Sequence, residues 1–328
     1  FHVDALNPNS LRPFLEPATT VLSCVPYWMH PHIAPVAIAT HTHMIDLGGE
    51  TAVGLESLGF HQECVEAGVS IVPDCGLAPG LVNDLGSYMM EHLDVTESIR
   101  LYCGGLPQSP KPPLNYKLVF NIEGLVAEYD DDSDIIRDGK LQKIETLTEI
   151  EPIHIEGVGD MEAFHTSGGA STMPFTLEGR VKTYEYKTIR FPGHAQIMKV
   201  FKDFGFWGKE QVHVKSGSAA PLDLFIELMN PRLKDDDSAD MIIVRGVGEG
   251  VKDGKPKRIQ LDILDRQDPK TGFSAMERMT GFSAAIYAAY LADGKAPAGC
   301  LRYESVMPGA YFVQELKRRG IDVREQQS

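Results

Sequence analysis

Three polar side chains stand at the ends of three apolar runs near the start of the chain. Tyr27 follows the run "TTVLSCV", Asp46 lies in "HMIDL", and Asp74 follows "VSIV". Short apolar runs that alternate with helical patterns predict a parallel α/β sheet. Ligands of such sheets bind outside the carboxyl ends of the strands, so we expect these side chains to meet at one site. The alternative is that Asp46 and Asp74 only form caps and turns.

The third of these runs leads into the turn "DCGLAPG", which ends at Pro79 and Gly80. The next residues, from Leu81 onward, have helical spacing of apolar side chains. Proline is favoured in a first helical turn because its missing N–H would be unpaired there. We therefore predict that Pro79 opens a helix whose N-terminus points at a ligand with negative charge or lone pairs.

A second group of polar residues lies in "FHTSGG" and "YKTIRFPGH". The glycines beside His165 and Thr166 allow the backbone to approach a ligand closely. Arg190 ends a strand with apolar neighbours, and a partly buried arginine requires a carboxylate or phosphate partner. The alternatives are a structural ion pair for Arg190, and core positions with backbone hydrogen bonds for His165 and His194.

The rest of the chain predicts a sheet that is mostly antiparallel, followed by helices. Period-2 alternation predicts a strand over 182–191, and strands over 241–250 and 257–264 form a hairpin around "KDGK". The further predictions are a helix over 55–66, a strand over 98–104, a solvated loop at "DDDSD" (130–134), helices over 275–291 and 308–320, and a short last strand over 321–324.

Composition excludes several classes of function. The 328 residues carry a net charge of −15, which disfavours nucleic-acid binding. No stretch approaches the roughly 20 apolar residues of a membrane helix. The five cysteines include no CxxC pair, which argues against a disulfide framework and predicts a reducing, cytoplasmic compartment. "HPH" and "HTH" lack further ligands at later strand ends, so we predict no metal site.

Four longer motifs resemble the saccharopine dehydrogenase superfamily, and within it the lysine 6-dehydrogenases. They are "VPDCGLAPGLVNDLG", "LYCGGLPQSPKPPLNYKLVFNIEGL", "EAFHTSGG" and "YKTIRFPGH", and the resemblance runs from about residue 20 to the end. It implies an α/β fold with a Rossmann-type parallel sheet domain and an inserted α+β domain with a mostly antiparallel sheet. The implied domains are a partial dinucleotide-binding domain (1–79), a substrate-binding and dimerisation domain (80–274) and C-terminal helices that return to the first domain (275–328). The GxGxxG unit of the family is absent from these residues, so we expect a segment that precedes them.

The resemblance also implies a reaction and its residues. The expected cofactor is NAD, with NADP not excluded, and the expected small-molecule substrate is L-lysine, deaminated to 2-aminoadipate 6-semialdehyde by a homodimer or larger homo-oligomer. The predicted proton-transfer residues are His165, Asp74 and Glu123. The predicted substrate-binding residues are Tyr27, Cys103, Gly105, Asn121, Thr166 and Arg190, the last as a clamp for the α-carboxylate. The predicted cofactor-binding residues are Val25, Pro26, Asp46, Leu77, Ala78 and Pro79.

Two departures from the saccharopine enzymes of the family bear on the substrate. Those enzymes have an acid where this chain has Ala78, and a further arginine near the position of Ser167. Their loss favours a smaller substrate with one carboxylate. The alternatives are a dehydrogenase for saccharopine or a carboxyalkyl polyamine, or a non-catalytic member that serves as a binding or assembly module.

Overall fold

A computed structural model describes residues 1–215, 217–235 and 238–328 of the chain. The strands are β1 (Thr20–Ser23), β2 (His43–Asp46), β3 (Ser70–Val72), β4 (Val95–Pro107), β5 (Ser133–Arg137), β6 (Lys140–Ile144), β7 (Glu151–Ile155), β8 (Gly159–His165), β9 (Thr183–Arg190), β10 (Val212–Val214), β11 (Gly217–Ala219), β12 (Asp240–Lys252), β13 (Lys255–Arg266), β14 (Gly299–Cys300) and β15 (Arg324–Gln327).

Helices connect these strands and cover the sheets. They are α1 (Pro8–Leu15), α2 (His30–Ala39), α3 (Thr51–Ser57), α4 (His61–Ala67), α5 (Leu81–Glu91), α6 (Ile122–Asp130), α7 (Met173–Leu177), α8 (His194–Asp203), α9 (Pro221–Leu233), α10 (Ala275–Ala292) and α11 (Gly309–Arg318), with 3₁₀ turns at Tyr27–Met29, Leu58–Phe60 and Tyr303–Ser305. Among the described helices, none combines the length and the apolar character needed to span a bilayer.

The first sheet is parallel, in the order β1–β2–β3–β14. The apolar side chains of β2 and β3, such as Ile45 and Val72, are fully buried because helices cover both faces of such a sheet. The predicted parallel α/β sheet is confirmed. Its fourth strand comes from the far end of the chain, since Gly299 and Cys300 pair with Ser70 and Ile71.

The second sheet is mixed and has nine strands, seven of them in the order β15–β13–β12–β4–β9–β5–β6, while β8 joins β9 and carries β7. The predicted hairpin is confirmed: β12 and β13 pair without a break around Asp253 and Gly254. Both turn residues have positive φ (50° and 73°), as a two-residue hairpin turn that matches the strand twist requires. Only β4 and β9 pair in parallel here, so this described sheet is mostly antiparallel, as predicted.

Three predicted boundaries are wrong. The last strand, expected over 321–324, is β15 at Arg324–Gln327. The helix expected over 55–66 is divided into α3 and α4 by a 3₁₀ turn that contains Gly59, a residue that weakens a helix interior. The "DDDSD" segment is not a loop throughout, because Asp130 ends α6 and Ser133 begins β5. Buried Ile135 and Ile136 hold that strand in place.

The turn before α5 also differs from the prediction. The helix begins at Leu81 with Gly80 as its N-cap (φ 119°), so Pro79 precedes the cap. The Gly80 N–H donates to Asn83 Oδ1 (3.1 Å), and the Leu81 N–H donates to the Gly76 carbonyl (3.0 Å). The first amides of the helix are therefore bonded within the turn, and the expected open anion site is not present at this helix end.

Candidate functional site

A cavity of about 750 Å³ lies between the two sheets. One wall consists of the segments that follow the first three parallel strands: residues 24–28, 47–49 and 77–79. The opposite wall consists of β4, β9, the first turns of α6 and the loop 167–169, and α10 contributes Met276 and Thr280. The cavity therefore lies where ligands of open parallel sheets bind.

Most of the predicted site residues line this cavity. They are Val25, Pro26, Tyr27, Leu77, Ala78, Pro79, Cys103, Gly105, Asn121, Glu123 and Arg190. The structure does not bring Asp46, Asp74, His165 and Thr166 to the cavity wall.

Arg190 lies at the cavity with its side chain only 3% exposed. Its Nε donates to the Tyr129 hydroxyl (3.0 Å), and its Nη1 donates to the Ile189 carbonyl (3.0 Å). The guanidinium carbon is 5.0 Å from the centre of the Tyr116 ring, a cation–π contact. Nη2 lies 3.5 Å from Glu128 Oε2. Two of the three guanidinium nitrogens are thus bonded to protein atoms, and the third is directed to a carboxylate beside the cavity.

His194 orients this arginine through Tyr129. His194 Nδ1 is 3.2 Å from the Leu114 carbonyl, and Nε2 is 3.1 Å from the Tyr129 hydroxyl. Burial and the charge of Arg190 lower the pKa of His194 to about 3, so the ring is neutral. Its Nδ1–H must then donate to the carbonyl, and Nε2 accepts the Tyr129 O–H. The Tyr129 oxygen is left free to accept from Arg190, which holds the guanidinium in one orientation.

Glu128 is a cavity residue that the sequence reasoning missed. Its Oε2 is buried and has no hydrogen-bond partner among the described residues. Burial raises the pKa of Glu128 to about 7, and the positive charge of Arg190 opposes that rise. The sequence contains a signal for Glu128, because residues four apart share one face of a helix. Gly124 and Glu128 have this spacing on α6, and both line the cavity.

Glu123 and Asn121 lie at the start of the same helix. The Asn121 side chain caps α6 by accepting the Gly124 N–H at Oδ1 (2.5 Å). Glu123 is exposed and lines the cavity one turn before Glu128. A cap residue, an exposed acid and a partly buried acid therefore reach the cavity from one helix.

Asp46 and Asp74 lie behind the cavity wall. Asp46 Oδ1 accepts the N–H groups of Gly48 (2.8 Å) and Asp74 (3.0 Å), so it shapes the turns that follow β2 and β3. Asp74 is 1% exposed, and its Oδ2 accepts the Ser171 O–H. Its carboxyl group packs so closely against Gly48 and Gly54 that a side chain at either glycine would clash with it. Burial and the nearby Asp46 raise the pKa of Asp74 to about 8. Both acids support the wall from behind and do not reach the ligand space.

His165 lies on the other face of the mixed sheet. Side chains alternate along β8 and β9, so Thr166 contacts the cavity residue Thr188 (2.7 Å between hydroxyl oxygens), and His165 shares the opposite face with Lys187. His165 is fully buried, and its Nε2 is 3.2 Å from Glu149 Oε2. Its pKa is lowered by burial and then by the charge of Lys187.

Glu149, His165 and Glu185 place three metal-ligand atoms within 4.8 Å of one another. Arg137 already occupies this position, because its Nη2 contacts Glu149 Oε2 (2.5 Å) and Glu185 Oε1 (3.0 Å). A metal ion would have to displace that guanidinium. The cluster is therefore an ion-pair network in this structure.

The wall formed by the parallel strands contains the residues that could hold the ring of the expected cofactor. Val25, Pro26, Leu47, Leu77 and Ala78 present a mainly apolar surface suited to a flat ring. Gly49 in the same wall leaves room for the Tyr27 ring, which a Cβ would approach to 3.1 Å. The Gly-rich turn that binds the pyrophosphate in such folds is not among the residues of this chain.

Two relatives match part of the sequence. Alpha-aminoadipic semialdehyde synthase of Arabidopsis thaliana is 25% identical over 228 residues, which cover 65% of this chain and 21% of that protein. The NADP(+), L-glutamate-forming saccharopine dehydrogenase of Saccharomyces cerevisiae is 26% identical over 215 residues, which cover 62% of this chain and 47% of that protein. The matched region therefore spans less than half of the length of these relatives.

The architecture also matches a solved structure. Apo saccharopine dehydrogenase (L-Glu forming) from Saccharomyces cerevisiae superposes with a TM-score of 0.81 at 19% identity, and the match covers 100% of this chain and 89% of that one. At this identity the likeness shows the fold. The family model for the saccharopine dehydrogenase C-terminal domain matches residues 76–321, which include most of the mixed sheet, α10 and α11. The chain belongs to the saccharopine dehydrogenase C-terminal domain family.

Proposed function

We propose that this protein is an amino-acid dehydrogenase that removes the ε-amine of L-lysine with NAD or NADP as its cofactor. The observation that carries the proposal is the charge of the cavity. Arg190 is the only lysine or arginine among the described residues that line it, whereas Glu123 and Glu128 supply two carboxylates. L-lysine has one carboxylate and two amines, which is the complementary arrangement. The product, 2-aminoadipate 6-semialdehyde, is the compound in the name of the Arabidopsis relative.

Saccharopine fits this charge pattern less well. It has three carboxylates, and a second cleft of about 620 Å³ that adjoins the cavity is lined by Glu50, Asp131, Asp132 and Asp134, with Lys143 as the one cation among its described residues. Like charges about 4 Å apart near a protein surface repel by about 4 kcal/mol at an effective dielectric constant of about 20. The two extra carboxylates would therefore lack cations in the cavity, and in the adjoining cleft they would meet an excess of acids, with Lys143 already paired with Asp134.

Ala78 and Ser167 support the same choice of substrate. Both residues line the cavity. The saccharopine enzymes of the family carry an acid at the position of Ala78 and an additional arginine near the position of Ser167. The acid and the arginine would contact the secondary amine and a further carboxylate of saccharopine. Their replacement by small residues leaves space but no charged partner for those groups.

Glu123 is the proton acceptor in this proposal. The ε-ammonium of lysine has an ordinary pKa of about 10.4 and must lose a proton before the adjacent carbon can be oxidised. The nicotinamide cofactor, when bound, accepts the hydride from that carbon. Glu123 is exposed and reaches the cavity, so it can pass protons to solvent while water converts the imine to the aldehyde. His165 and Asp74 are not assigned this role, since neither lines the cavity.

The test is a substrate screen of the full-length protein with NAD⁺ and NADP⁺, followed by the absorbance of the reduced nicotinamide. We expect reduction with L-lysine and little or none with saccharopine. Comparable turnover on saccharopine would contradict the argument from the cavity charge. Absence of turnover on every amine would instead favour a binding or assembly role.

A second candidate substrate is a carboxyalkyl polyamine. The acidic cleft is continuous with the cavity through shared residues such as Glu128 and Gly168. A chain with one carboxylate at Arg190 and further amines in that cleft would also match the charges. The same screen decides between the two, because a higher kcat/KM for a carboxyalkyl polyamine than for L-lysine would select it.

A further inference from the structure

We propose that Glu128 binds the α-ammonium group of the amino-acid substrate while Arg190 binds its α-carboxylate, so that the pair recognises the zwitterionic end of an α-amino acid. The inference rests on the proposed function for the class of substrate. It adds a specificity-determining residue and states which group of the substrate that residue contacts.

The first argument is that both partners keep hydrogen-bonding capacity at the cavity. Within the described structure, Arg190 Nη2 makes no hydrogen bond, and Glu128 Oε2 has none either. The two atoms are 3.5 Å apart, longer than the roughly 2.7–2.9 Å of a charge-assisted hydrogen bond. A buried ion pair without hydrogen bonds does not recover the free energy of desolvating its charges. A ligand with a carboxylate next to an ammonium would supply an acceptor to Nη2 and a donor to the Glu128 carboxylate, whose side chain is 29% exposed.

The second argument is that the backbone fixes the place of Glu128. The Ser167 N–H donates to the Glu128 carbonyl (2.9 Å), and the Ser167 hydroxyl donates to the Ala127 carbonyl (2.9 Å). The last turn of α6 is thus attached to the 167–169 loop that forms part of the cavity wall. The Arg190 side is held by Tyr129 and His194. Both charged groups are therefore positioned before a ligand arrives, which lowers the cost of ordering them on binding.

The protonation of Glu128 is consistent with this role. Its pKa is raised to about 7 by burial, so the free carboxyl group is partly protonated near neutral pH. An ammonium ligand favours the ionised form. The matching property of Arg190 is permanent charge, so the carboxylate contact does not depend on pH in this range.

Two other roles for Glu128 make different predictions. If Glu128 only neutralised Arg190, its loss would affect every ligand that carries a carboxylate. If Glu128 were the proton acceptor, its loss would lower kcat for every amine. The proposed role affects ligands that carry an α-ammonium, and it does so through binding.

The test compares wild type and Glu128→Gln, in the full-length protein with cofactor, by calorimetric titration. L-norleucine carries both α-groups and no ε-amine, and hexanoate carries only the carboxylate. We expect Glu128→Gln to weaken L-norleucine binding about 10- to 150-fold, the range of one charged hydrogen bond. Hexanoate binding should not weaken. Asp131→Asn, at the adjoining cleft, is the matched control and should leave L-norleucine binding unchanged.

Turnover separates this inference from the proposed function. Glu128→Gln should raise KM for L-lysine with little change in kcat, and leave KM for 6-aminohexanoate, which lacks the α-amine, unaltered. If L-norleucine binding depends on Glu128 but wild type does not oxidise L-lysine, the inference stands and the proposed function fails. Equal L-norleucine affinities for wild type and Glu128→Gln, no binding of L-norleucine by wild type, or equal losses for L-lysine and 6-aminohexanoate would overturn the inference.

Discussion

The two faces of β9 carry charged groups in different states of satisfaction. On the cavity face, Arg190 and the neighbouring Glu128 leave Nη2 and Oε2 without hydrogen bonds among the described residues. On the opposite face, Lys187 contacts Glu151 (3.2 Å) and the Glu149 carbonyl (3.0 Å). Glu185 on that face contacts Arg137 (3.0 Å).

The difference shows that the density of titratable groups does not mark a site. The cluster of Glu149, His165 and Glu185 has more ionisable groups close together than the cavity has, but both of its carboxylates are paired with Arg137. The cavity pair has fewer groups, and its unused hydrogen-bonding capacity lies beside open space. Glu151 Oε1 and His165 Nδ1 of the opposite face also lack hydrogen bonds within the described structure, but they do not line the cavity. We therefore expect the cavity residues to control kinetics, and the enclosed residues to control stability.

The largest expected effect concerns proton transfer. Glu123→Gln should lower kcat for L-lysine by about 10²–10⁴, because it removes a proton acceptor and keeps the shape of the side chain. His165→Gln should leave kcat within about twofold and should lower the free energy of unfolding by about 1–2 kcal/mol, since it perturbs a buried hydrogen bond. Steady-state kinetics and urea denaturation measure the two quantities.

A loss of kcat in His165→Gln equal to that in Glu123→Gln would break the comparison. It would return His165 to the catalytic role that its sequence context predicts.

A smaller kinetic effect is expected at Arg190. Lysine in its place keeps the charge and removes the planar fork, so KM for L-lysine should rise more than kcat falls. The expected decrease in kcat/KM is about 10- to 150-fold, which corresponds to about 1.5–3 kcal/mol. Arg137→Lys, on the opposite face, is the matched control and should leave kcat/KM unchanged.

Cadaverine, which is lysine without its carboxylate, sharpens this result. Wild type should use it poorly, and Arg190→Lys should lose little further rate on it. Equal impairment on lysine and cadaverine would identify Arg190 as a structural ion pair.

The effect expected for Asp74 appears in the pH dependence of stability. Its pKa is about 8 in the folded protein and 3.8 as an ordinary value. The folded state therefore binds more protons between these pH values, and the contribution of Asp74 to stability falls as pH rises through that window, by about 1.4 kcal/mol per pH unit. Asp74→Asn should remove this slope, so its stability relative to wild type should increase from pH 5 to pH 8.

Urea denaturation at several pH values measures the difference. Asp322→Asn, which removes an exposed carboxylate (80% exposed), is the control and should not change the slope. Parallel stability curves for Asp74→Asn and wild type, together with a fall in kcat, would place Asp74 in the chemistry after all.

The strands were predictable because their signals are local. The segments that became β1, β2 and β3 are the short continuous apolar runs of a covered parallel sheet, and the hairpin turn at Asp253 and Gly254 has residues suited to its backbone. Of the three residues selected by the rule that ligands bind at the ends of parallel strands, only Tyr27 lines the cavity, and most of the other wall residues followed from the resemblance to the family.

The enclosed residues could not be recognised from local patterns. The face on which His165 lies depends on how β8 pairs with β9, and a shift of one residue would exchange it with Thr166. Asp74 has a left-handed backbone conformation (φ 68°), and its carboxyl group contacts Ser171, 97 residues away in the sequence. Glu128 reaches the cavity only because α6 docks beside β9. Each position depends on contacts between distant segments.

The return of the chain to the first sheet has a consequence for its synthesis. β14 completes that sheet beside β3, and the Ser70 hydroxyl donates to the Pro297 carbonyl, 227 residues later. At a translation rate of roughly 5–20 residues per second, β3 would leave the ribosome about 10–45 s before its partner is made. During that interval the edge of β3 and apolar side chains such as Ile71 are exposed to other chains and to chaperones. The first sheet thus finishes folding only after the middle of the chain has been synthesised. We expect the yield of folded protein in the cell to depend on whether chaperones cover the edge of β3 until β14 pairs with it.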